Sequence, residues 1–147
     1  MLEGKLREVG NKNACPMAIM YSQGKILTGL RNYKADCSVW TIPGGRCEIG
    51  ETLKQTLRRE VFEEVGITEF EIVDFLTEAP GISDGDVLQI FFCTTNQEAK
   101  LMEPQKFSCW KWLPVEEYVT NEKYCGFNQP ARKIIENFLI SRFLLHI

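Results

Sequence analysis

Histidine is almost missing from this chain: one in 147 residues, at position 146. None of the six cysteines, at 15, 37, 47, 93, 109 and 125, stands in CxxC spacing. Zinc sites are built from clustered Cys and His, so the sequence argues against one. Free, mostly buried thiols are the expectation, as in a cytosolic chain. No run of 18 apolar residues occurs, so no membrane span is expected. The opening stretch MLEGKLREVG lacks the apolar core of a signal peptide, which fits a cytoplasmic protein. No basic tract offsets the formal net charge of −3, so a nucleic-acid partner is not expected. Repeats, low-complexity tracts and linkers are also missing, which leaves a single domain over 1–147.

What is present is an ordinary globular composition. Apolar residues make up 44% and charged residues 25%, enough for one sizeable core. Cys15–Tyr21 and Lys25–Leu30 read as strands around the turn Ser22-Gln23-Gly24. Arg31–Ser38 reads as a polar loop, and Val39–Ile42 as a short strand stopped by Pro43-Gly44-Gly45. Glu69–Thr77, Val87–Thr95 and Phe107–Leu113 read as further strands, with a turn-rich loop over Ala79–Asp86. Trp110 and Trp112 alternate with Lys111 on a strand, and core packing is the expected role of at least one of them. Pro114 sits where a short helix begins. Gln129–Leu145 reads as a closing amphipathic helix with Ile134, Ile135, Phe138, Leu139 and Leu145 inward. Strands mixed with helices suggest a mixed β-sheet packed between helices, an α/β fold.

The most informative segment is GRCEIGETLKQTLRREVFEEVGI, from Gly45. Thr52 and Gln55 form a capping-box pattern, so a helix starts near Leu53. Leu53, Leu57, Val61 and Val65 form its apolar stripe, and Gly66 ends it. Glu60, Glu63 and Glu64 crowd its last two turns, where their negative charge opposes both one another and the helix dipole. A divalent cation reverses both penalties. Mg²⁺ takes a few carboxylates, several waters and substrate phosphates, which points to a metal–phosphate site. Mn²⁺ accepts the same oxygen ligands.

The segment resembles the Nudix box, GX5EX7REUXEEXGU with U apolar, and matches it at every defined position from Gly45 to Ile67. Its seven fixed identities would coincide by chance roughly once in 10⁹ windows. The resemblance implies an α/β/α sandwich of the Nudix fold. It implies Glu60, Glu63 and Glu64 as metal ligands, completed by the Gly44 carbonyl, with Glu60 as the base. It further implies that Arg59 pairs with Glu51, and that Gly44 and Gly45 let the backbone approach metal and phosphate.

Softer likenesses to MutT-type members lie outside the box. They imply a further metal-facing carboxylate at Glu103 and a phosphate contact at Arg31. They also imply base recognition by Asn128, with Phe127 placed to stack on a base; Asn128 is equally an N-cap for the last helix. Cys47 and Asp84 lie in loops that could border the site. The implied activity is Mg²⁺-dependent cleavage of a small-molecule (deoxy)nucleoside triphosphate, such as 8-oxo-dGTP, to monophosphate and pyrophosphate by a monomer or homodimer. A nucleotide sugar, ADP-ribose, a dinucleoside polyphosphate or a prenyl diphosphate would use the same box, and a non-catalytic binding domain is the remaining alternative.

Overall fold

Two strands carry near-continuous apolar runs, and both are covered on each face. A computed structural model describes residues 1–33, 37–81 and 83–144, with the side chains of 125–128 outside that description. Strands β1 (Ala14–Ser22) and β5 (Val87–Thr95) pair in parallel from Ala14↔Val87 to Tyr21↔Thr94. Ile19, Ile90 and Phe92 point to one core, and Ala18, Met20, Phe91 and Cys93 to the other. Alternation is therefore invisible in their sequence, as in other sheets buried on both sides.

The remaining strands are antiparallel to their neighbours: β2 (Lys25–Asn32), β3 (Ser38–Thr41), β4 (Phe70–Pro80) and β6 (Phe107–Pro114). They form one six-stranded mixed sheet in the order β3-β2-β1-β5-β4, with β6 also on β2. Helices α1 (Leu2–Leu6) and α2 (Leu53–Val65) cover one face, where Leu53, Leu57, Val61 and Val65 lie at 0–2% exposure. Helices α3 (Val115–Thr120) and α4 (Arg132–Leu139) cover the other through Tyr118, Ile135 and Leu139. This is the layered α/β arrangement expected. Each fully buried Leu or Val contributes about 1.5–3 kcal/mol. Among the described residues no helix is long and apolar enough to cross a membrane.

The α2 boundaries agree with the sequence reading to the residue. Thr52 and Gln55 form the reciprocal capping box, and Gly66 closes the helix at φ 71°, a left-handed conformation that costs other residues a Cβ clash.

Three expectations need correction. The loop expected over Arg31–Ser38 is shorter, because Arg31 and Asn32 pair with Val39 and Ser38. Strand β4 runs on through Ala79 and Pro80, which pair with Leu88 and Val87; β4 is an edge strand, where proline's missing donor is tolerated. The closing helix is broken. A 3₁₀ segment, Glu122–Ala131, contains Pro130, the α-helix starts only at Arg132, and a π turn follows over Ile140–Leu144. Pro130 has no N–H to give an α-helical ladder. Ile134 is 46% exposed rather than inward, and Leu145 lies outside the described residues.

Candidate functional site

The site is assembled on the segment between β3 and α2. This segment is stitched to the β1 edge: Ala18 N–H donates to the Pro43 carbonyl (2.8 Å), Gly45 N–H to Pro16 (3.2 Å) and Cys47 N–H to Ala14 (3.0 Å). A Cβ at either glycine would meet an occupied position. A Cβ on Gly44, whose φ is +153°, would lie 2.4 Å from the Pro16 carbonyl oxygen, and one on Gly45 would lie 2.1 Å from Glu60 Oε2.

Helix α2 sorts its three acidic residues by depth. Glu64 is 4% exposed, the Glu60 side chain 16% and the Glu63 side chain 45%. Glu60 and Glu64, one turn apart, flank the apolar stripe and are drawn down with it, whereas Glu63 is rotated outward. Glu64 Oε1 accepts the Gly44 N–H at 3.0 Å, so Gly44 meets the cluster through its N–H. Burial pushes the Glu64 carboxyl well above the ordinary carboxylate range, and nearby Glu60 and Glu103 add to this. Burial also raises Glu60, and Glu63 raises it further against the opposing pull of Arg59.

Arg59 ties the assembly together. It grips Glu51 with two hydrogen bonds, Nε–Oε2 at 2.7 Å and Nη2–Oε1 at 2.9 Å. It also reaches Glu60 (2.9 Å), Glu63 (3.1 Å) and the Arg46 carbonyl (3.1 Å). The Arg59 hydrogen bonds hold Glu51 down at about 2, helped by the Glu48 N–H and Thr56 hydroxyl. A carboxyl depressed from 4.5 favours the fold above that value and loses its contribution as pH falls through about 2. Glu51→Gln should therefore be less stable than the wild type at neutral pH, and the gap should close in acid. Thermal melts across an acid pH series read this directly; a gap independent of pH would contradict the pairing.

A cleft of about 440 Å³ opens over these groups, and Arg31, Gly44, Gly45, Arg59, Glu60 and Glu64 all line it. Arg31 comes from β2, with its guanidinium between the Tyr33 and Phe107 rings at 5.2 and 5.3 Å. Its Nε is buried and has no hydrogen-bond partner among the described residues. Glu51 and Glu63 reach the cleft through Arg59, and Glu103 stands behind Lys106 at 3.5 Å. The side chains of Phe127 and Asn128 lie outside the described residues. Cys47 is buried in the wall, with its thiol raised by that burial. Asp84 is not among the lining residues.

The sequence reading misses Arg46, Asp86, Lys106 and Cys15, all in the lining. Arg46 directly follows Gly45 and Lys106 closely follows Glu103, so their proximity to chosen residues is a signal. Nothing in the sequence links Asp86 or Cys15 to the site. The Cys15 thiol is pushed up to about 12, first by burial and then by Asp86, Glu60 and Glu64, so it is no nucleophile near neutrality.

Among the described residues no three His, Cys, Asp or Glu side chains form a ready-made cation cage. The donor set instead offers a few carboxylates beside an open cleft. This suits a hard divalent ion that keeps waters and phosphate oxygens in its shell. Glu64, desolvated and without an ion pair among the described residues, is where such an ion relieves most cost.

Set against known proteins, residues 12–138 match the family model described as NUDIX domain. Nudix hydrolase 5 of Arabidopsis thaliana is 30% identical over 132 residues, covering 84% of this chain and 43% of that protein. The chain thus spans less than half the length of that relative. The 8-oxo-dGTP diphosphatase of Proteus vulgaris is 37% identical over 70 residues, 48% of this chain and 62% of that one. The crystal structure of the MutT protein from Methanosarcina mazei Go1 superposes with a TM-score of 0.68 at 21% identity, over 88% of this chain and 94% of that one.

Proposed function

The chain belongs to the Nudix hydrolase family, and from that membership we propose that it is a divalent-metal-dependent pyrophosphohydrolase converting a (deoxy)nucleoside triphosphate to monophosphate and pyrophosphate. One observation carries the reading: Glu64, a buried carboxylate with no ion pair among the described residues, shares a cleft with Glu60 and the cations Arg31, Arg46 and Lys106. Carboxylates for a cation and cations for phosphates, in one cavity, are what diphosphate cleavage requires.

Glu60, Glu63 and Glu64 would hold the metal, Mg²⁺ or Mn²⁺, with Glu103 a further carboxylate on that side. When bound, the ion supplies charge neutralisation on the phosphates and a more acidic water. Arg59 Nη1 holds Glu60 Oε1, which leaves Oε2, facing Gly45, to take the proton of the attacking water. Burial raises that carboxyl above the ordinary carboxylate value, which makes it a stronger base. As the water oxygen bonds to one phosphorus of the α–β bridge, the bridging P–O bond breaks and its electrons stay on the bridging oxygen, which leaves with the other product, monophosphate or pyrophosphate. Arg31 lines the cleft with its guanidinium packed against the Tyr33 and Phe107 rings, which positions it for phosphate oxygens. Lys106 adds a second charge from the turn just before β6. Base selection is assigned to Phe127 and Asn128, ahead of α4.

The triphosphate reading draws support from the 8-oxo-dGTP diphosphatase relative and from MutT-type likeness outside the box. A substrate panel tests it: canonical nucleoside triphosphates, 8-oxo-dGTP, ADP-ribose, a nucleotide sugar and a dinucleoside polyphosphate, each with Mg²⁺. The expected result is pyrophosphate from a triphosphate, lost on adding EDTA. Turnover of other panel members with silence on triphosphates would overturn the substrate class.

A further inference from the structure

Arg46 and Asp86 stand 40 positions apart in sequence and meet in the cleft lining. The Arg46 backbone is pinned, because its carbonyl accepts from Arg59 Nη2 at 3.1 Å. Its guanidinium donates twice to one Asp86 oxygen, from Nη2 at 2.9 Å and Nε at 3.2 Å. The aspartate is set in a tight turn: its N–H bonds to the Ser83 carbonyl and its own carbonyl takes the Gly81 N–H. Exposure is lopsided, with the Arg46 side chain at 58% and Asp86 at 12%. The arginine is the movable partner and the aspartate the fixed one.

Building on the diphosphate reading above, we infer that Asp86 is an internal competitor for substrate phosphate at Arg46. A carboxylate and a phosphate offer an arginine the same kind of acceptor geometry, so one guanidinium serves one of them at a time. An incoming di- or triphosphate carries more charge than a single carboxylate and can draw Arg46 away. A singly charged anion gains little by the exchange. Asp86 thereby sets affinity and selects for highly charged ligands, and the same competition loosens a product phosphate left at Arg46. For an ion pair with one exposed partner, the apparent affinity is lowered about fivefold.

Calorimetric titration of inorganic pyrophosphate with Mg²⁺ into the full chain tests this. Asp86→Asn should bind about fivefold tighter than the wild type. Asp86→Glu, which keeps the charge, should stay at wild-type affinity. Arg46→Gln should bind more weakly, and adding Asp86→Asn to it should change nothing further. A purely structural aspartate would lower the melting temperature without tightening binding. Unchanged or weaker binding by Asp86→Asn overturns the inference, and so does tightening that persists without Arg46, which would be a general field effect. If the wild type and every variant fail to bind pyrophosphate, the diphosphate reading falls together with the inference. That pattern is distinct from a wild type that binds without an Asp86 effect.

Discussion

Glu64→Gln is expected to lower turnover by about a thousandfold or more while raising the melting temperature of the metal-free protein. Turnover falls because the substitution removes the most buried negative charge in the cleft. The stability gain follows from the same burial. The folded protein holds this carboxyl well above its ordinary value of 4.5, so at neutral pH its ionisation counts against the fold. Glutamine keeps an oxygen for the Gly44 N–H, and its other polar atom faces the cleft. The gain should be ~1 kcal/mol or more, about 2–4 °C in Tm for a chain of this size. It should be full above the raised folded value, shrink as pH falls through that value, and vanish below 4.5. Melts in EDTA across pH, beside steady-state turnover, check both halves. A variant that is inactive and also less stable would make Glu64 a structural residue.

The two cleft glycines should fail in opposite ways. On Gly45, a methyl group meets the tip of the flexible Glu60 side chain, with its carboxyl carbon at 2.4 Å and Oε2 at 2.1 Å. The side chain swings aside, the fold survives, and turnover drops about a hundredfold because a catalytic group is displaced. On Gly44, the methyl meets backbone, the Pro16 oxygen at 2.4 Å and Met17 Cα at 2.7 Å, at a positive φ of 153°. Nothing nearby can swing away, so Gly44→Ala should cost about 2–4 kcal/mol of stability. Denaturant unfolding and turnover on both variants separate the cases. Equal stability losses would refute the distinction.

How far this was readable beforehand depends on the range of the forces involved. Helix α2 is set by contacts within four residues, the Thr52–Gln55 box and the left-handed Gly66, so both ends were legible. Strand β5 was legible because an apolar run bounded by turn residues has few other uses. The depth order of Glu60, Glu63 and Glu64 was not. Helical spacing makes them neighbours, but only docking of α2 on the sheet decides which one is buried. Arg31 looked like a loop residue because the ring that helps hold it in a strand, Phe107, comes from 76 positions away. The broken final helix was partly visible in Pro130, whose local veto outweighs the apolar period running through it. The Arg46–Asp86 contact depends on two loops meeting, and no local signal encodes that.

The stitching of residues 43–47 to the β1 edge also bears on what sequence change this region can accept. Surface connections usually accept extra residues at little cost. Here the donors at Ala18, Gly45 and Cys47 and the acceptors at Pro43, Pro16 and Ala14 are matched one to one. A single inserted or deleted residue would shift that register, turn Gly45 away from Glu60 and put a side chain where Gly44 now passes. Length variation among relatives that keep this geometry should accumulate in other connections, and the spacing from Pro43 to Cys47 should stay constant even where the identities between them change.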